Sequence, residues 1–355
     1  MPQTFFHKTL FYAVFGGAVV LLAVAGIAIY FMLTQSETQS SQPKTVGIVQ
    51  FLGILEPSIQ GFKDAMEAQG YTEKENITYL QNSANGNFEQ LAQIAQGYIN
   101  QNVDLIFADS PESGFVALQV TQDMNRQDIP IIFVNATDPI RAGLISDFRS
   151  SGNNTTGIAI DFVDLTARKL EFLQRIDPST RNIAVVYNLV SDPTADAMLE
   201  ELHRQAERLN LQVVQYDIKN PPGPDSTVEI AQLINSMQTG DFDAYFHLAG
   251  PVVNFPDNQQ LLMQIGERFN VPSAYLQNFA STDSWLFSYG HDLYGTGAQA
   301  APMAHKIFSG VAPSNIPIEY QDKDLFVVNL RAASAIGVVI PASLLEIADI
   351  RIPAE

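Results

Sequence analysis

The sequence predicts two doubly wound α/β lobes, each a parallel sheet covered by helices, preceded by one N-terminal transmembrane helix. Three observations predict it: a chain of 355 residues, a strand-and-helix pattern that repeats from Thr45 onward, and a charge-free run near the N-terminus. A chain of this length exceeds what one hydrophobic core usually serves, so two domains are the first expectation.

The charge-free run is Phe11 to Leu33, 23 residues. At about 1.5 Å rise per residue a helix of this length crosses a hydrocarbon core of roughly 30 Å. His7 and Lys8 precede it and Glu37 is the first charge after it, which favours residues 1–10 staying in the cytoplasm. Ala23-Val24-Ala25 resembles a cleavage site, but cutting there leaves Ile27 to Leu33 exposed and apolar, so an uncleaved signal anchor over 11–33 is favoured. Residues 34–44, rich in Ser and Gln, read as a flexible linker.

The soluble part alternates short apolar runs with amphipathic stretches. Strands are expected near Val46, Ile77, Leu105 and Ile131, and after a break near Ile183, Val213, Tyr245 and Ala274. A spacing of about thirty residues is that of a strand–helix–strand unit. Runs such as Leu105-Ile106-Phe107 and Ile131-Ile132-Phe133-Val134 suit parallel strands buried on both faces. Ser58 is expected to cap a helix that buries Ile59, Phe62 and Met66 and stops at Gly70. Asp192-Pro193 opens another helix, and Asp257 a third with Leu261, Leu262 and Ile265 inward. Returns around Phe287 to Asp292 and Phe326 to Leu330 let the chain cross between lobes more than once. The expected division is lobe 1 at 45–158 plus about 290–325 and lobe 2 at 159–289 plus about 326–355, joined by a multi-strand hinge.

In open α/β sheets ligands bind outside the carboxyl ends of the strands. Here those ends carry Leu52-Gly53, Ser110-Pro111-Glu112-Ser113, Asn135 to Pro139, Asn188 to Asp192, Gly250-Pro251 and Gln277-Asn278. Taken singly, Ser, Asp and Asn at such points read as helix caps. Their concentration at one edge favours a cleft that closes on a small molecule.

Composition excludes several classes. A net charge of −19 argues against binding a phosphate backbone. There are no cysteines, so no disulfides, thiolate metal sites, Cys nucleophile or lipid-anchoring Cys. His7, His203, His247, His291 and His305 form no metal-ligand spacing, and no metal or cofactor is expected. There is no Gly-x-Gly-x-x-Gly after a strand, no P-loop and no Gly-x-Ser-x-Gly elbow. A non-enzymatic binding role is therefore expected. An outer sensing component acting through a separate partner and an uncharacterised cleft enzyme are the alternatives.

Specific strings carry a resemblance over about Thr45 to Asp349. They include Val46-Gly47-Ile48-Val49-Gln50, Gly61-Phe62-Lys63-Asp64, Gly70-Tyr71, Val103-Asp104-Leu105-Ile106 and Thr137-Asp138-Pro139. Asn154-Thr155-Thr156-Gly157, Val186-Tyr187-Asn188, Tyr289-Gly290-His291-Asp292, Gly297 and Ile340-Pro341-Ala342-Ser343 follow in order. The chain resembles the ABC transporter substrate-binding family related to tryptophan- and tyrosine-binding proteins. The resemblance implies a periplasmic-binding-protein fold of the three-crossover kind and an amino-acid-like ligand in the cleft. It also implies delivery to a permease and an ATPase on separate chains. The ligand-binding loops it implies lie at Leu55-Glu56, Ser110-Pro111, Thr137-Asp138, Tyr187-Asn188 and the Asp292 region. Three positions depart from the family's pattern: the shortened loop Phe51 to Ile54, the acidic pair Asp109 and Glu112, and His291.

Two ligand contacts are expected. One is a carboxylate held by amides and hydroxyls near Ser110, Thr137 and Ser191. The other is an amine met by Asp109 or Glu112, unless both face solvent or cap a helix.

Overall fold

The computed structural model describes residues 42–190, 193–275 and 284–354. The predicted membrane helix 11–33 and most of the linker lie outside the described residues, as do Ser191, Asp192, Gln277 and Asn278. Among the described residues no helix is long and apolar enough to cross a membrane.

Apolar runs set the strands, numbered here in chain order. One sheet holds β1 (Lys44–Gln50), β2 (Ile77–Ser83), β3 (Leu105–Ala108), β4 (Ile131–Ala136), β5 (Thr155–Ala159) and the short β11 (Glu319–Tyr320). Their order is β11-β5-β4-β3-β1-β2. The other holds β6 (Asn182–Asn188), β7 (Gln212–Ile218), β8 (Ala244–Phe246), β9 (Ser273–Tyr275), β10 (Phe287–His291), β12 (Asp324–Asn329) and β13 (Ile350–Ile352). Their order is β13-β12-β10-β9-β8-β6-β7. Each core sequence of strands, β2-β1-β3-β4-β5 and β7-β6-β8-β9-β10, places its topological switch point beside the first strand of the unit.

Helices cover both faces of each sheet. In lobe 1, α1 (Glu56–Ala68) and α9 (Leu293–Phe308) share one core with Val46, Ile48, Phe107 and Ile132. On the opposite face α2 (Phe88–Asn100) and α3 (Pro111–Asp123) enclose Val49, Ile106, Ile131 and Phe133. In lobe 2, α4 (Phe162–Ile176) and α5 (Pro193–Arg208) cover one face and α6 (Pro224–Ser236) the other. The alternation of strand residues between two cores is what a parallel sheet buried on both sides requires.

The chain passes between sheets three times: after β5, after β10, and at residues 321–323 before β12. The third passage corrects the all-parallel expectation. Asp292 N–H donates to the Lys323 carbonyl at 3.1 Å, so the chain re-enters lobe 2 at the end where β10 leaves it. β12 must then run back along β10, and it pairs antiparallel, Phe287 opposite Val328.

Two local expectations also change. The helix assigned to a Ser58 cap begins at Glu56, after a 3-10 turn over Gly53–Leu55. Ser58 lies inside its first turn and donates to the Leu55 carbonyl at 2.7 Å. Ile59, Phe62 and Met66 are fully buried as expected. The helix opened near Asp257 is two short ones, Pro256–Leu262 and Ile265–Phe269.

In lobe 1, α1 and α9 touch backbone to backbone. A Cβ on Gly297 would lie 1.8 Å from the Ser58 carbonyl oxygen, and one on Gly61 2.0 Å from that of Tyr294. Only glycine permits that approach.

Candidate functional site

The carboxyl ends of β1, β3, β6 and β8 meet across the gap between the lobes. Two adjoining chambers lie there, sharing Pro111, Glu112, Ala249, Gly250 and Pro251 as walls. The larger is about 420 Å³, within the usual range for ligand sites. Its lining is mostly apolar: Phe88 and Phe115 from lobe 1, and Val186, Tyr187, Val190, Leu248, Val252 and Val253 from lobe 2. The smaller, about 70 Å³, is bounded by Leu52, Leu55, Ser110, Asn135, Thr137, Phe162, Leu165, Asn254 and His291.

Lobe 1 presents a wall whose polar groups are largely satisfied. Ser110 caps α3: its Oγ accepts the Ser113 N–H at 3.2 Å, and Ser113 Oγ accepts the Ser110 N–H at 3.0 Å. The Ser113 hydroxyl and the Phe51 N–H both reach Asp109 Oδ1 at 3.0 Å. Burial raises the Asp109 carboxyl to about 8 against those two hydrogen bonds. Asn135 donates to the Asp109 carbonyl at 2.8 Å and to Ser58 Oγ at 3.2 Å. What remains without a partner here is Asn135 Oδ1, an acceptor, and Asp109 Oδ2, which carries the carboxyl proton at pH 7.

Lobe 2 differs. His247 is a satisfied core histidine: Asn254 Oδ1 lies 3.0 Å from its Nε2 and the Tyr245 hydroxyl 3.2 Å from its Nδ1. Burial holds it down to about 4, with the Asn254 contact opposing and Lys169 assisting. His291, by contrast, ends β10 at the small chamber with neither ring nitrogen partnered. Burial and then Lys169 hold it down to about 4, so its ring is neutral at pH 7. Lys169 on α4 is fully buried with an unpartnered Nζ, 4.6 Å from the centroid of the Phe246 ring. Burial lowers it to about 7.

Of the sequence-predicted residues, Leu52, Leu55, Ser110, Pro111, Glu112, Asn135, Thr137, Asn188, Gly250 and His291 line the chambers. Six do not. Gly53 is exposed in the 3-10 turn and Glu56 points outward, accepting from Gln50 and Gln81. Asp109 and Ser113 lie behind the lobe 1 wall, tying β1's loop to α3. Asp138 accepts the Arg141 N–H at 3.0 Å within its own turn, and Asp292 precedes α9 at a lobe crossing.

Sequence reasoning missed Phe88, Phe115, Arg141, Val252 and Val253, which reach the cleft from helices or farther along the loops. It also missed Lys169. A signal existed: Lys169 stands on the inward stripe of α4 with Leu165, Leu170 and Leu173, where a lysine is out of place unless partnered. Across the mouth, Arg141 of lobe 1 pairs with Glu200 of lobe 2 at 3.0 Å, so the lobes stand close together. Among the described residues no cluster of three or more His, Asp or Glu is placed to hold a metal.

A family profile, ABC transporter substrate binding protein, matches residues 45–352. The chain belongs to that family. A curated relative, the tyrosine-binding protein of Clostridioides difficile, is 24% identical over 88% of this chain and 90% of its own. Among solved structures, the Streptococcus pneumoniae ABC domain in complex with L-Trp is 20% identical with a TM-score of 0.77, covering 87% of this chain and all of that one. A conserved domain protein of Vibrio cholerae reaches 0.76 at 22% identity, over 88% and 100%. The open, ligand-free form of an adhesive substrate-binding protein from Clostridium difficile gives 0.64 at 25%, over 86% and 98%. Family members are substrate-binding components, and the two-lobed fold is shared throughout.

Proposed function

We propose that this protein is the extracytoplasmic substrate-binding component of an ABC importer, capturing a small amino-acid-like solute in its interlobe cleft. It then delivers that solute to a permease and an ATPase on separate chains. The observation that carries this reading is the pair of chambers at the switch points of both sheets, one small with polar groups and one large and apolar. An amino acid has the same division, a compact charged head and a side chain. The relatives that bind tyrosine and tryptophan support an aromatic or large apolar side chain. The role is binding rather than catalysis, and the acidic chain has no expected affinity for nucleic acid. Residues 11–33 act as the anchor, keeping the binding lobes outside the cytoplasm and close to the permease, which raises the effective concentration for docking.

Thermal denaturation of the full chain against the twenty amino acids and a panel of sugars tests the binding reading. L-tryptophan or L-tyrosine raises the melting temperature, since a ligand at 100 times its dissociation constant adds about 2.7 kcal/mol. A rise with sugars alone overturns it. Topology is tested separately, by protease protection of residues 45–355 in sealed cells: cleavage from outside supports the anchor, and protection contradicts it.

A further inference from the structure

In and behind the cleft walls, the polar atoms without partners differ between the lobes; Lys169 lies behind the small chamber's wall, outside its lining. Asn135 Oδ1 of lobe 1 is an acceptor, whereas Lys169 Nζ in lobe 2 is a donor. The His291 ring is donor and acceptor, and Thr166 on α4 adds a hydroxyl with no partner.

We propose that Lys169 and His291 form a carboxylate subsite in lobe 2, so that a zwitterionic ligand binds with its acid group toward lobe 2 and its ammonium toward Asn135. This deepens the amino-acid reading above and rests on it. Phe162 and Leu165 line the small chamber, and Lys169 follows Leu165 by one turn on the same face of α4. Helical side chains lean toward the helix N-terminus, so the lysine stem runs back toward Leu165 and the strand ends. Its Nζ arrives over Phe246, the last residue of β8, whose following loop walls both chambers. Its charge reaches His247 and His291, both basic. Asp324, opposite His291 on β12, hydrogen-bonds Gln321 and Tyr289 instead. A buried ammonium without an acceptor is costly, and among the described residues no acid hydrogen-bonds or pairs with Lys169 Nζ. A ligand carboxylate supplies one. The small chamber has room for about two water molecules, enough for a charged head but not for an apolar body. The body is left to the large chamber.

Isothermal titration of the full chain with L-tryptophan, L-tryptophanamide and indole-3-propionate separates the two ends of the ligand. Tryptophan and indole-3-propionate bind, and the amide binds about 100-fold more weakly, as expected when one partner of a buried charged contact is lost. Lys169→Met abolishes the preference for the acids, and His291→Gln, a change at the chamber surface, reduces it by about tenfold. Equal binding of acid and amide overturns the subsite while leaving the amino-acid reading intact, as does an undiminished preference in both variants. If none of the three binds, the amino-acid reading fails instead. The subsite is then decided by sodium propionate, which raises the melting temperature of the wild type but not of Lys169→Met. No rise, or an equal rise in both, overturns it.

Discussion

The two lobes present opposite walls to the same cleft. In lobe 1, Asp109, Ser110 and Ser113 spend most of their hydrogen-bonding capacity on the loop after β1 and the start of α3. In lobe 2, Lys169 and His291 are as deeply buried yet spend none of theirs on the protein. Lobe 1 is a pre-set platform. Lobe 2 carries an electrostatic deficit that a ligand relieves. Polar groups used for folding are therefore separated from those kept for binding, although both lobes share one topology.

Substitutions that stress each side break or sharpen this contrast. The largest effect falls on the platform. Gly297→Ala forces α1 and α9 apart against a backbone oxygen 1.8 Å from the new Cβ, and chemical denaturation reports a loss above about 4 kcal/mol. An unchanged midpoint would mean the helices slide freely and lobe 1 is not rigid.

Lys169→Met has the opposite sign. Burial holds this lysine at about 7, against 10.5 in an unfolded chain. Between those values the unfolded state carries the extra proton, so the wild type gains stability as pH rises from about 7 to 10.5 and is penalised most below 7. The unliganded variant is expected to be more stable at pH 6 by on the order of 3 kcal/mol, the gap closing toward pH 10. Melting curves across pH check this, and a destabilised variant at pH 6 would assign Lys169 to the fold.

Asp109 titrates in the other direction. Its folded value of about 8 stands above 3.8, so the folded state keeps a proton that the unfolded state has lost, and stability falls as pH rises from about 4 to 8. Asp109→Asn flattens that slope. Asp109→Ala strands the Phe51 N–H and costs about 2 kcal/mol in denaturant melts. The smallest effect belongs to Arg141→Ala, which removes an exposed pair across the mouth and costs under about 1 kcal/mol. Ligand affinity measured alongside should move by less than about fivefold.

The fold was legible because strands buried on both faces leave unbroken apolar runs: Leu105 to Phe107 and Ile131 to Val134 mark β3 and β4 directly. β11 and β13, two and three residues long at the sheet edges, leave no such run. The antiparallel turn of β12 depends on where the chain re-enters lobe 2, which periodicity does not record. At the cleft, loops after strands pointed to Ser110, Asn135 and His291. Phe88 and Phe115 stand half-exposed on helices, where an apolar side chain reads like any other surface residue. Lys169 was hidden differently, since nothing in the sequence pattern shows that its charge reaches His291, far along the chain.

A crystal structure of the chain with L-tryptophan tests the central claim most directly. The predicted result is a carboxylate within hydrogen-bonding distance of Lys169 Nζ and His291, the ammonium turned toward Asn135, and the indole in the large chamber. A carboxylate held instead by lobe 1, with Lys169 still unpartnered, would contradict it.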